Sequence, residues 1–210
     1  MSEQTAGAGG APPEVIYIIR HAEKPADAAG GHGKHQNAPG GVDFHGGQNE
    51  HCLLPRGWQR SGALAALFAP AVGPPRAGLR TPGTLLSPSY GDPASTAAHR
   101  SCQTIQGLAD RLGLPITTPF EVGHESRLAA SVLAACSGVV LICWEHDHIP
   151  GLAAAFPAVA ATGIPMKWPG DRFDVIWALT REPGATTSGY TFSQIPQQLL
   201  SGDSDTVISG

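Results

Sequence analysis

The chain has 210 residues, 41% of them apolar, which suits one domain with a sizeable core, or one domain carrying a small insertion. A formal net charge of −4 with histidines neutral provides no basic footprint for nucleic acid, so nucleic-acid binding is excluded as an expected role. Charged residues are sparse at 14%, and 27 glycines with 19 prolines exceed a fifth of the chain, a balance that points to long loops. In chain order, residues 1–13 are small, polar and Gly/Ala-rich and are expected to form a disordered tail. They lack the basic segment and apolar core of a signal peptide. The run Val15-Ile16-Tyr17-Ile18-Ile19 reads as an interior strand over 14–20, ending abruptly in Arg20-His21. Residues 25–52 form a Gly/His-rich insertion with no periodicity, and a loop of that length is a functional lid or lacks order.

A helix is predicted from Pro55 to Phe68, with Leu64, Leu67 and Phe68 as its apolar stripe and Pro70 as its stop. A loop over 71–82 leads to a short strand at Thr84-Leu85-Leu86. A second helix is predicted from Thr96 to Leu112, with Cys102, Ile105, Leu108, Ala109 and Leu112 on one face and Gly113 just beyond its end. A strand over 115–120, a helix over 126–136 and a strand over 138–144 follow, the last ending in Glu145-His146. Pro150 opens a short helix to Phe156. Residues 173–179 alternate as a strand, and 190–195 add an edge strand that could pair two subunits into a homodimer. Strands alternating with helices imply an α/β fold, a three-layer α/β/α sandwich with a mostly parallel central sheet, as one domain over 14–210. No apolar run reaches the roughly 18 residues needed to span a bilayer. Cys52, Cys102, Cys136 and Cys143 show no CxxC spacing and read as reduced thiols of a cytoplasmic protein.

In open α/β sheets ligands bind outside the carboxyl ends of the strands. His21 and His146 each lie just past such an end, so the pattern predicts that they share one site, and Arg20 suggests an anion there. On its own, Arg20 could equally pair with Glu23 or Glu145, Arg100 could be a solvated helix residue, and His146 could be a satisfied buried histidine.

Four stretches carry a resemblance. Arg20-His21-Ala22-Glu23-Lys24-Pro25 resembles the opening motif of the histidine phosphatase superfamily, the phosphoglycerate mutase-like proteins. Leu53-Leu54-Pro55-Arg56-Gly57-Trp58-Gln59-Arg60 is similar to its Leu-x-x-x-Gly-x-x-Gln/Arg helix start. Arg100-Ser101-Cys102-Gln103-Thr104-Ile105 looks like its Arg-x-x-Gln-Thr helix, and Leu141-Ile142-Cys143-Trp144-Glu145-His146 looks like its second-histidine strand. Their order along 14–180 is more specific than any one of them.

The resemblance implies that His21 is the nucleophile and carries a phosphohistidine, while Arg20, Arg100 and His146 surround the phosphoryl oxygens. This suits a transition state that spreads charge over three equatorial oxygens and asks for fixed positive donors. It implies no cofactor and no metal. The implied activity is a phosphohydrolase acting on a small phosphomonoester. A mutase, a phospho-ligand-binding protein without turnover, and a redirected biosynthetic enzyme are the alternatives. The proton donor is open: Glu125 ranks first, Asp147 second and Glu121 third, and each would need a pKa raised by burial or nearby negative charge. Lys24 and Lys34 are candidate phosphate contacts against a default of solvated lysines. His99 stands where the family commonly has Ser, and either reaches the phosphate or lies on the helix surface. His32, His35, His45 and His51, with Asp43 and Glu50, are read as a lid that contacts substrate, a surface loop, or a metal site of no known spacing.

Overall fold

The computed structural model describes residues 11–25, 40–89, 96–157, 163–181 and 189–210. Its elements in chain order are β1 (Val15–Arg20), α1 (Pro55–Phe68), β2 (Thr84–Leu86), α2 (Thr96–Leu112), β3 (Ile116–Thr117), α3 (Glu125–Ala135), β4 (Val139–Trp144), α4 (Ile149–Ala154), β5 (Val175–Arg181) and β6 (Tyr190–Pro196). The strands form one six-stranded mixed sheet in the order β3-β2-β4-β1-β5-β6. Strands β3, β2, β4 and β1 run parallel, and β5 and β6 join antiparallel at one side. The molecule is therefore an α/β fold in which the parallel part carries the chain segments of interest.

Every residue of β1 and β4 is buried, as expected for β-branched runs covered on both faces. Their alternation sorts the core. Val15, Tyr17, Ile19, Leu141 and Cys143 pack with Leu64 and Phe68 of α1 and with Ile105 and Leu108 of α2. Ile16, Ile18, Val140, Ile142 and Trp144 pack with Leu128 and Val132 of α3 and Leu152 of α4. The period-two pattern thus assigns a helix pair to each face.

Several local expectations hold and others shift. Gly113 has a φ of +64°, and the chain closes α2 there with Leu114 N–H donating to Ala109 O at 3.1 Å. The predicted strand 115–120 shrinks to Ile116–Thr117, because Pro115 and Pro119 on either side have no N–H for a ladder. The domain also starts earlier than residue 14. Pro13 is buried, and its carbonyl accepts from Tyr190 Oη at 2.7 Å and Arg181 Nε at 3.3 Å, while residues 1–10 lie outside the described residues. The β6 edge is not fully open, since the Gln194 amide exchanges hydrogen bonds with the backbone of Ile208 at 2.9 and 3.1 Å. All four cysteines are free. Among the described residues, no helix is long and apolar enough to cross a membrane.

The start of α1 is pressed against the loop that follows β1. A Cβ built on Gly57 would lie 2.5 Å from the carbonyl oxygen of Glu23 and 3.1 Å from Leu53 Cβ. Glycine is therefore required here by close approach, because backbone cannot yield as a side-chain tip can. Gly57→Ala is expected to cost about 1–3 kcal/mol of stability, the usual range for overpacking a tight contact. Chemical denaturation measures it; an unchanged midpoint would show that α1 moves freely away from Glu23.

Candidate active site

The register Arg20↔Trp144 sets the ends of β1 and β4 side by side, and His21 N–H continues the ladder onto Trp144 O at 3.2 Å. Both histidine segments therefore leave the same sheet edge from adjacent strands. The rings of His21 and His146 lie edge to face with centroids 6.3 Å apart. The juxtaposition predicted from the two strand ends is present.

His21 is buried, and its Nδ1 lies 2.8 Å from its neighbour's carbonyl, Ala22 O. A carbonyl only accepts, so Nδ1 carries the proton and Nε2 keeps its lone pair. Burial above all, then the positive charges of Arg20 and Arg100, push the His21 pKa down to about 3 from 6.5. The ring is a neutral base at physiological pH. The motif around Arg100 explains how His21 is fixed. Thr104 Oγ1 accepts from Ala22 N–H at 2.7 Å and donates to Arg100 O at 2.7 Å, tying the loop after β1 to α2. One residue earlier, Gln103 Oε1 accepts from Leu53 N–H at 3.0 Å and so anchors the segment that enters α1.

Arg20 is 2% exposed. It pairs with neither Glu23 nor Glu145 by a direct bond. Its Nη1 donates to the carbonyls of Pro169, Gly170 and Arg172 at 3.3, 2.7 and 3.1 Å, and its Cζ lies 4.0 Å from the centroid of the Phe173 ring. Its Nε is buried without a hydrogen-bond partner. A buried guanidinium N–H left unmade is costly, and an anion's oxygen is the natural acceptor for it. Burial lowers the Arg20 pKa to about 10, which still leaves it cationic. Arg100 is half-buried, donates through Nη2 to Glu50 O at 3.0 Å, and acts electrostatically on His21. The loop 40–52 is thereby connected to the site wall.

His146 is half-buried, and Glu145 Oε1 lies 2.5 Å from its Nδ1. The contact is an ion-pair approach whose angle falls short of a hydrogen bond. Burial alone would raise the Glu145 carboxyl, but His146 and the Asp147 N–H hold it down at about 2. Asp147 Oδ1 stands 3.5 Å from His146 Nε2, and its side chain is 67% exposed.

Glu125, ranked first as proton donor, sits at the N-terminus of α3 and bonds elsewhere. Its Oε1 accepts from Gly123 N–H at 2.8 Å and Trp144 Nε1–H at 3.0 Å, and pairs with His148 Nδ1 at 3.1 Å. Burial would raise its pKa, yet these bonds together hold it below the ordinary value, the opposite of what a resting acid needs. Glu121 is exposed on the turn before α3. Lys24 is half-buried after Glu23, and His99 is half-buried beside Arg100 on α2. His32, Lys34 and His35 lie outside the described residues. His45, His51 and Glu50 are exposed, and Asp43 Oδ1 is used within its own turn by the N–H groups of His45 and Gly47 at 2.8 Å.

Sequence reasoning missed the network just behind the site. Glu23 binds Arg60 at 2.8 Å and Arg56 at 3.1 Å, and Arg60 also binds Asp203 at 2.7 Å, near the C-terminus. These residues wall a cavity of about 240 Å³ together with Asp174 and Phe173, and Phe173 also stands 6.2 Å from His21, ring to ring. Glu145, His148 and Thr104 are likewise absent from the residues that the sequence places in the site. A charged residue directly beside the second histidine, at the end of a core strand, was the available signal for Glu145. No protein-family model matches the chain, and no curated protein is significantly similar to it.

Proposed function

We propose that the chain is a phosphohydrolase that removes phosphate from a small phosphomonoester through a phosphohistidine on His21. The single observation that supports this best is the His21 ring. Its Nδ1 is held by Ala22 O, and its neutral Nε2 is free to attack within a site that also holds His146, Arg20 and Arg100. The motif resemblance along 14–180 points the same way, and with it go the three-layer α/β/α sandwich of phosphoglycerate mutase type and a cytoplasmic location.

The chemistry follows from these groups. Nε2 of His21 donates its electron pair to phosphorus while the bond from phosphorus to the ester oxygen breaks. The equatorial oxygens gain charge, which the Arg20 and Arg100 guanidiniums and His146 offset from fixed positions. A carboxylic acid protonates the departing oxygen, and the resulting carboxylate then takes a proton from the water that releases phosphate and restores His21. The contacts favour Asp147 over Glu125 in that role. Glu125 is tied up by three donors that stabilise its charge, whereas Asp147 is exposed beside His146.

The test is a panel of small phosphate esters with product analysis, combined with brief exposure to labelled substrate. Free phosphate and an acid-labile label on His21 are expected. A positional isomer in place of free phosphate would favour the mutase, and no turnover with any ester would overturn the enzymatic reading altogether.

A further inference from the structure

His21, Glu145 and His146 offer ligand atoms that all lie within 4.8 Å of one another, a grouping of two imidazoles and one carboxylate. That donor set suits zinc and related divalent transition-metal ions, with open positions left for an exogenous ligand. We propose that these three residues bind one divalent transition-metal ion, and that this ion and a phosphate ester compete for the same place. The competition rests on the phosphohydrolase reading, whereas the binding site stands on its own geometry.

Four features support it. The outer contacts are those that orient metal ligands: the His21 Nδ1–H is held by Ala22 O at 2.8 Å, and Glu145 Oε2 accepts the Asp147 N–H at 2.9 Å. His146 Nδ1 is buried without a hydrogen-bond partner, and Glu145 Oε1 stands 2.5 Å from it, so this imidazole and carboxylate lie side by side and need part only slightly to act as two ligands of one ion. A further carboxylate oxygen, Asp147 Oδ1, is 3.5 Å from His146 Nε2. Finally, the site is not simply cationic. Glu145, Asp147, Asp171 and Glu23 all act on Arg20 and offset its charge, so a divalent ion meets carboxylates as well as guanidinium groups. Binding takes up the lone pair on His21 that the phosphoryl group would use, which makes the ion an inhibitor rather than a helper.

Cobalt(II) titration of the full chain tests the site directly, through the ligand-field absorption that histidine and carboxylate ligands impose on the ion. One ion per chain is expected, displaced by zinc. Glu145→Gln, which keeps the side-chain shape, and His146→Ala should each weaken binding at least tenfold. Zinc should raise KM for a phosphate ester while leaving kcat unchanged, and a chelator should reverse the effect. Absence of the bands, or binding that both variants leave unchanged, overturns the proposal. The two readings fail separately. Cobalt bound without hydrolysis of any ester sinks the phosphohydrolase and keeps the metal site, and hydrolysis without cobalt binding does the reverse.

Discussion

His21→Ala is expected to lower kcat/KM for phosphate release at least about a thousandfold, since on the proposed mechanism it removes the nucleophile and the covalent path and leaves only binding and charge stabilisation. His21→Gln is the companion variant, because its amide can still donate to Ala22 O and so preserve the loop. Both should show no acid-labile label. The same residue makes a prediction about pH. Its pKa in the folded protein is about 3 against 6.5 for the unprotected side chain. Between those values the unfolded chain binds a proton that the folded chain refuses, so stability falls as pH drops from 6.5 toward 3 and is unaffected by this group above 6.5. The variants lack that penalty, and their unfolding free energy should decline less steeply over the window than that of the natural chain. It also follows that an acid limb of kcat/KM near 6.5 would not be the titration of His21. Activity retained in both variants, or identical pH slopes in denaturation, would remove His21 from the centre of the site.

Arg60→Met is expected to destabilise the fold by about 3–5 kcal/mol, the range for breaking a buried ion-pair network from one side. The side chain is 2% exposed and hydrogen-bonds to Glu23, Gln197 and Asp203 at 2.7 to 3.2 Å. Burial works against its charge, but the bonds to Asp203 and Glu23 overcome that and hold its pKa above the ordinary range. Methionine keeps the stem and removes the charge, leaving the Glu23 and Asp203 carboxylates, 9% and 3% exposed, each with one of its two arginine partners gone. The exposed pair Glu14–Arg80, at 2.6 Å, serves as the control, and Arg80→Met should leave the denaturation midpoint essentially unchanged. Equal effects at the two positions would mean that the buried network contributes no more than surface charge. Because Glu23 follows His21 by two residues, Arg60→Met should also lower turnover in whatever fraction remains folded.

Much of the architecture was legible because its signals are local and periodic. The runs at 15–19 and 139–144 could only be covered strands, and the helix over 96–112 announced itself by spacing and by Gly113. The meeting of His21 with His146 was legible too, since parallel strands end at one edge. The distribution of roles among the carboxylates was not. Whether Glu125 or Asp147 faces the site depends on where Trp144 Nε1 and His148 point, and no pattern in the chain encodes that. The binding of Arg60 by Asp203 was equally out of reach, because an ion pair across 143 positions leaves no trace in either neighbourhood. The short β3 shows the opposite failure, in which a sound apolar pattern lost to two prolines lacking donors.

Strand β4 lies between β1 and β2 although it follows both in the chain. A ribosome therefore delivers β1 and β2 well before the strand that joins them. Until residue 144 has emerged, both must wait with unpaired backbone along an apolar edge, the condition under which nascent chains stick to one another. Neither histidine can meet the other in that interval, so the pairing of His21 with His146 arrives only with the closing of the sheet, and a truncated or stalled product would lack it as well as being adhesive.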